Sequence, residues 1–122
     1  MYNQFGFEKL EVWQLARKLA KDIYSLTALF PSIEKYGLSN QLQRAAISIP
    51  SNIAEGSGRS GNRDKIRFIE IAYGSLIEVV NQLYIAKDLG YINDSDIAEC
   101  IESSHRIAAM LSSLRNTLLS NQ

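Results

Sequence analysis

Few side chains in this sequence could do covalent or acid–base chemistry. His105 is the sole histidine and Cys100 the sole cysteine. A histidine works as an acid or base beside a nucleophile or carboxylate. Helical ribonucleases that set an arginine four to six residues ahead of the catalytic histidine have Ile101, Cys100 and Glu99 as the counterpart positions here, so the arginine is missing. His105 is therefore expected at an interface or half buried. Cys100 has no cation near it in sequence to favour the thiolate, and reads as a small core residue. One cysteine allows neither an intrachain disulfide nor a cysteine-based zinc site. Gly56 and Gly61 have the spacing of a phosphate-binding loop, but Asn62 and Arg63 follow where Lys and Ser/Thr are needed, and a helix precedes where a strand is needed. Of the acidic residues Asp94, Asp96, Glu99 and Glu102, three lie in the first turns of a helix, where the dipole favours carboxylates. Asp94 and Asp96 fall on different sides of that helix, which argues against a metal site. No cofactor fingerprint is present.

Charge is the more informative signal. Thirteen basic and thirteen acidic side chains give a formal net charge of zero. Residues 1–69 carry ten Lys/Arg and six Asp/Glu, a net of +4; residues 70–122 carry three and seven, a net of −4. Arg59, Arg63, Lys65 and Arg67 are opposed by Asp64 alone, in a Gly/Ser loop and the first turns of a helix. Helix starts favour anions, and arginine suits phosphate. The segment reads as a phosphate-backbone contact or as a solvated basic loop, and basic loop ends of the second kind are the commoner. Arg44, Lys18 and Lys21 form a candidate second patch.

Four amphipathic segments must position these residues. The first, 7–30, places Val12, Ala16, Leu19, Ile23, Leu26 and Phe30 in steps of four and three, and Pro31 stops it. The second, 38–55, carries Leu42, Ala45, Ala46, Ile49 and Ile53 on one face. Pro50 falls inside it, so the spacing predicts a helix that kinks and continues, ended by Gly56-Ser57-Gly58. The third, 63–89, has Ile66, Ile69, Tyr73, Leu76, Val80 and Leu83, with Asn62 as N-cap and Gly90 closing its C-terminus. The fourth, 94–120, has Ile97, Ile101, Ala108, Leu111 and Leu118, opened by Asn93 and Asp96 in a capping arrangement. Trp13, Tyr24, Phe30, Tyr36, Phe68, Tyr73 and Tyr84 fall mostly at core phase. Short connections join the segments, so the expected architecture is a single all-α domain over 1–122, an antiparallel up-down-up-down four-helix bundle.

At 122 residues and 46% apolar, the chain can bury a core. Its start lacks a basic, apolar targeting pattern. The longest run without charge, eleven residues from Ile23 to Ile33, falls short of the roughly 20 needed to span a bilayer. A cytoplasmic protein without a membrane partner is expected. Ser120-Asn121-Gln122 reads as a frayed tail.

The stretch Gln41-Leu42-Gln43-Arg44-Ala45-Ala46-Ile47-Ser48-Ile49-Pro50-Ser51-Asn52-Ile53-Ala54-Glu55-Gly56-Ser57-Gly58-Arg59 closely resembles the central motif of the 23S rRNA intervening-sequence protein family, also called the S23 or four-helix-bundle protein family. Phe7-Glu8-Lys9-Leu10-Glu11-Val12-Trp13, Ile71-Ala72-Tyr73-Gly74-Ser75-Leu76-Ile77-Glu78 and Leu89-Gly90-Tyr91-Ile92 are similar to that family as well. The resemblance implies a bacterial four-helix bundle that assembles as a homopentamer around a central channel. It implies no catalytic residues. More distantly, the chain resembles accessory proteins of diversity-generating retroelements, basic pentamers that bind nucleic acid. The family motif usually has two basic residues before the Ala-Ala pair; here Gln43 takes the first place and Arg44 keeps the second.

Read physically, Ala45-Ala46 and Gly74-Ser75 allow close helix approach. Asn52 and Glu55 follow the proline, where Asn52 can serve a carbonyl that has lost its donor and Glu55 can pair with Arg44 or Arg59; either residue can instead meet a ligand. Three functions are weighed. The first is a nucleic-acid-binding oligomer, RNA before DNA, using Arg59, Arg63, Lys65 and Arg67 with Arg44, Lys18 and Lys21. The second is a homo-oligomeric protein-interaction scaffold without nucleic-acid affinity. The third, an enzyme, has least support.

Overall fold

The computed structural model describes residues 5–121. Its four long helices are α1 (Glu11–Thr27), α2 (Leu38–Ser57), α3 (Asn62–Asp88) and α4 (Asp94–Ser120), and no strand occurs among the described residues. Residues 1–4, part of the start read for targeting, and Gln122, the end of the expected frayed tail, lie outside them. Ser120 is still helical, and its hydroxyl donates to the Asn116 carbonyl.

Helices α1 and α3 each pack on α2 and α4, so the four stand at the corners of a bundle. Cross-helix contacts give the running directions. As residue numbers rise on α2 they fall on α3, through Gln41–Gln82, Ser48–Ser75 and Gly56–Phe68. The same holds for Glu11–Arg106 and Lys18–Glu99 across α1 and α4, and for Glu70–Arg115 and Lys87–Asp94 across α3 and α4. Leu19, Ile23, Leu42, Ile49, Leu76, Val79, Leu83, Ile107 and Leu111 are fully buried between them.

The first segment is shorter than its apolar period suggests. A single 3-10 turn over Gly6–Lys9 comes first, and Leu10 is extended (ψ 121°) before α1 starts. At the other end α1 stops at Thr27. Leu29 and Phe30 then donate to Leu26 and Thr27, the tighter bonding of a closing helix. Phe30 still reaches the core, because this turn folds it back ahead of Pro31.

Helix α2 continues through Pro50 to Ser57, two residues past the expected end. Gly56 does not stop it. It lies inside the helix against α3, where an added Cβ would stand 2.8 Å from the Phe68 Cβ. The carbonyl that Pro50 leaves without its amide donor is that of Ala46, four residues earlier. Asn52 serves a different one: its Nδ2 donates to Ser48 O at 2.8 Å and to Ser48 Oγ at 3.0 Å. Ser48 Oγ meets Ser75 Oγ at 2.7 Å, the close α2–α3 approach expected at Ser75. Neighbouring Gly74 is exposed, and an added methyl there would meet nothing among the described residues.

The N-cap of α3 is Gly61, with no side-chain cap. Asn62 is already helical, and its Nδ2 donates across to the Leu118 and Asn121 carbonyls. The buried stripe of α3 is Ile66, Ile69, Ala72, Leu76, Val79, Leu83 and Ala86. Tyr73 and Val80, one position on, are displaced outward; the small Ala72 takes the tight inner place. At the C-terminus Gly90 has φ +80°, Gly90 donates to Lys87 O and Tyr91 to Ala86 O, a Schellman closure that needs the left-handed residue.

Helix α4 starts as expected. Asp96 N donates to Asn93 Oδ1 and Asn93 N to Asp96 Oδ2, each at 2.9 Å. Its buried stripe is Ile97, Cys100, Ser104, Ile107 and Leu111, while Ile101, Ala108 and Leu118 flank it half buried. Ser104 tolerates the core because its hydroxyl donates to Cys100 O at 2.7 Å. His105, next to it, is exposed rather than half buried. Four tyrosines expected inside are outside: Tyr24, Tyr36, Tyr73 and Tyr84 are all exposed, and Tyr36 is 85% so.

The connections at one end are locked by Glu34. Its Oε1 accepts the Leu38 amide at the start of α2, and its Oε2 accepts the Tyr91 hydroxyl at 2.7 Å. Tyr91 also packs on Phe30.

Candidate nucleic-acid interface

The turn between α2 and α3 carries the basic segment to one end of the bundle. Arg59 follows the α2 C-terminus, and its guanidinium lies over the Phe68 ring, 4.7 Å from the centroid. Such a contact orients the arginine while leaving its donors free. Arg63 and Arg67 are one turn apart on α3, line a shallow surface depression with Ile66 and Leu119, and are exposed. Among the described residues none of these three arginines makes an ion pair, although Asp64 and Glu70 share the depression. Glu70 is engaged by Arg115 at 3.1 Å. The first amides of α3 point out of the same end without a side-chain cap.

Lys65 is placed differently. It is half buried, and its Nζ donates 3.2 Å to Ser57 O at the end of α2. There it closes an orphan carbonyl and turns away from the arginine face. The second candidate patch is also not drawn together. Lys18 points to α4 and binds Glu99 at 2.8 Å and Asp22 at 2.9 Å. These two carboxylates, Glu99 first, raise its pKa well above the ordinary lysine value, and Lys18 in turn lowers that of Glu99. Lys21 is exposed on α1. Arg44 is exposed on α2, thirteen residues before Ser57, about 20 Å along the helix from the arginine end. Glu55 is exposed and pairs with neither Arg44 nor Arg59.

The acidic residues are accounted for individually. Asp94 pairs with Lys87 at 2.7 Å, Asp96 caps α4 and Glu99 holds Lys18. Cys100 is buried, and burial first, then the Asp22 and Glu99 charges, pushes its thiol up to about 11. That makes it a poor nucleophile at neutral pH. Two aromatic–arginine contacts escaped sequence reasoning: Arg59 on Phe68, and Arg17 over Trp13 at 5.2 Å. The second has a sequence signal, a four-residue spacing on one helix face; the first, across a loop, has none.

An all-helical bundle with an arginine-bearing end is thus the class that fold and surface define. The family is narrower. The family model described as 23S rRNA-intervening sequence protein matches residues 8–113, and the chain belongs to that family. No curated protein matches the chain significantly.

Proposed function

We propose that this protein is a non-enzymatic, self-assembling binder of nucleic-acid phosphate, with RNA the favoured polymer. The observation that carries the reading is the set Arg59, Arg63 and Arg67, exposed at one end and without carboxylate partners among the described residues, while Lys18, Lys87, Arg106 and Arg115 are all engaged. Membership in a family described by a ribosomal RNA intervening sequence favours RNA. It also favours the cytoplasm, and among the described residues no helix is long and apolar enough to cross a membrane. Assembly, five copies by the resemblance, would repeat the arginine end around a ring and multiply its charge. Arg44 and Lys21 are available to a ligand that wraps the outer face; Lys18, held by two carboxylates, and Lys65, turned away from the arginine face, contribute less.

The test is a titration of a labelled RNA hairpin by anisotropy across a salt series. Affinity should fall steeply with salt through counterion release, and Arg59→Ala/Arg63→Ala/Arg67→Ala together should lower the slope by about 2–3 per protomer engaged. An unchanged affinity and slope in the triple variant, with helicity intact, would reject the assignment.

One observation favours a second reading, an interaction scaffold without nucleic-acid affinity. The outward side of α3 exposes Ile71, Ile77, Tyr84, Ile85 and Leu89. A protein that ignores RNA at low salt yet retains a protein partner after nuclease treatment would establish it.

A further inference from the structure

At the arginine end, the interior of the bundle is not filled. Because Glu11 pairs with Arg106, residues 107–120 of α4 run on past the start of α1. The 3-10 turn that precedes α1 does not take α1's place there: it packs on α1 and α2, not on α4. Among the described residues the last turns of α4 therefore lack a partner on that side, and Leu114 and Leu118 stay half buried although they face inward. What remains is a half-open apolar pocket of about 240 Å³ walled by Val12, Ile53, Ile69, Leu111, Leu114 and Leu118. It shares Val12, Leu114 and Leu118 with a surface slot between α1 and α4.

Among the described residues one charged side chain lines the cavity, Lys65. It gives a single hydrogen bond to Ser57 O, and an ammonium has three protons to give. The other two protons have no protein partner among the described residues, and the rest of the lining beside Lys65 and Ser57 is apolar. The far end of the slot carries the opposite sign, Glu11. We propose that this cavity binds an aliphatic monocarboxylate, its carboxylate on Lys65 and its chain directed along the apolar walls toward the α1–α4 slot. Size agrees: a closed cavity of roughly 150 Å³ accepts benzene, so a pocket of about 240 Å³ has room for a medium-length alkyl chain. Charge sets the class and orientation, because an amine would meet Lys65 and a neutral chain would leave its donors without an anion. The site is separate from the arginine surface and does not depend on RNA binding.

The test uses the purified full-length protein with decanoate and 1-decanol, both below aggregation, followed by amide chemical shifts and calorimetry. Decanoate should bind saturably, with shifts confined to residues around the cavity. Lys65→Gln, which keeps a donor for Ser57 O, should weaken decanoate about tenfold and leave decanol unchanged. Leu118→Trp, at a half-exposed position that tolerates bulk, should plug the chamber and weaken both ligands. No saturable binding, shifts centred on the outer face of α3, or equal loss of acid and alcohol in Lys65→Gln would each overturn the proposal. If Leu118→Trp fails to fold, Leu114→Phe gives the same readout.

Discussion

Gly56 and Gly74 are both interior helical glycines, yet they answer to different constraints. A methyl at Gly56 would press on the Phe68 Cβ at 2.8 Å, between two backbones that cannot easily part. Overpacking of this kind costs about 1–3 kcal/mol. At Gly74 the same methyl meets nothing within 4 Å, and alanine is the better helix former by about 0.5–1 kcal/mol. Gly56→Ala should therefore lower the denaturation midpoint and Gly74→Ala should raise it, measured by urea unfolding followed by circular dichroism. Gly56→Ala carries a second consequence. Phe68 also supports the Arg59 guanidinium, so a shifted ring should loosen that arginine as well. Loss of stability at Gly74 instead would mean that a partner surface, in another copy, already occupies the space.

The elements were legible where local rules act alone. Asn93 with Asp96 and the left-handed Gly90 are where capping chemistry puts them, since a cap is decided within a few residues. The stripes were less so. On α3, Ala72 and Tyr73 both satisfy the helical period, and only the neighbours' distance chooses the small residue. On α4 the buried Ser104 hides the stripe because its polarity is cancelled by a backbone bond invisible in the sequence. The candidate site shows the same division: the arginine cluster was legible as composition, whereas the turning of Lys65 into the bundle and the pairing of Lys18 depend on which helices meet. Glu34, unremarkable in sequence, joins two connections, and this gives a pH prediction. Its hydrogen bond from Tyr91, then that from the Leu38 amide, lower its pKa below the ordinary 4.5. A carboxylate with a depressed folded pKa stabilises the fold fully above its unfolded value, and that contribution is lost as pH falls through the folded value. Tyr91 is raised above 10.0 by the same bond, so its contribution is present below its unfolded value and lost as pH rises through the folded one. Thermal midpoints between pH 7 and pH 3 should fall less steeply for Glu34→Gln than for the parent; parallel curves would remove Glu34 from the account.

For the whole molecule the deciding feature is the outer side of α3, which the bundle leaves without a partner. Ile77 is 51% exposed and Leu89 53%, with Ile71, Tyr84 and Ile85 along the same helix and the bare Gly74 between them. A helix of a lone bundle normally keeps apolar residues to one inward stripe. Here the inward stripe is complete without them, so their burial requires another molecule. The self-assembly proposed above predicts a specific outcome. Ile77→Glu should convert the oligomer to monomers, read by light scattering, while leaving helicity unchanged, because Ile77 contributes nothing to the internal core; the urea midpoint should fall only by what assembly contributed and lose its dependence on protein concentration. Salt sensitivity of RNA binding should fall in parallel, since each monomer then presents one set of arginines in place of a ring of them. If Ile77→Glu leaves the mass unchanged, the copies meet elsewhere, and the face of α3 belongs to a different protein partner. If the parent is itself monomeric, both the ring and the scaffold fall, and the arginine end has to act singly.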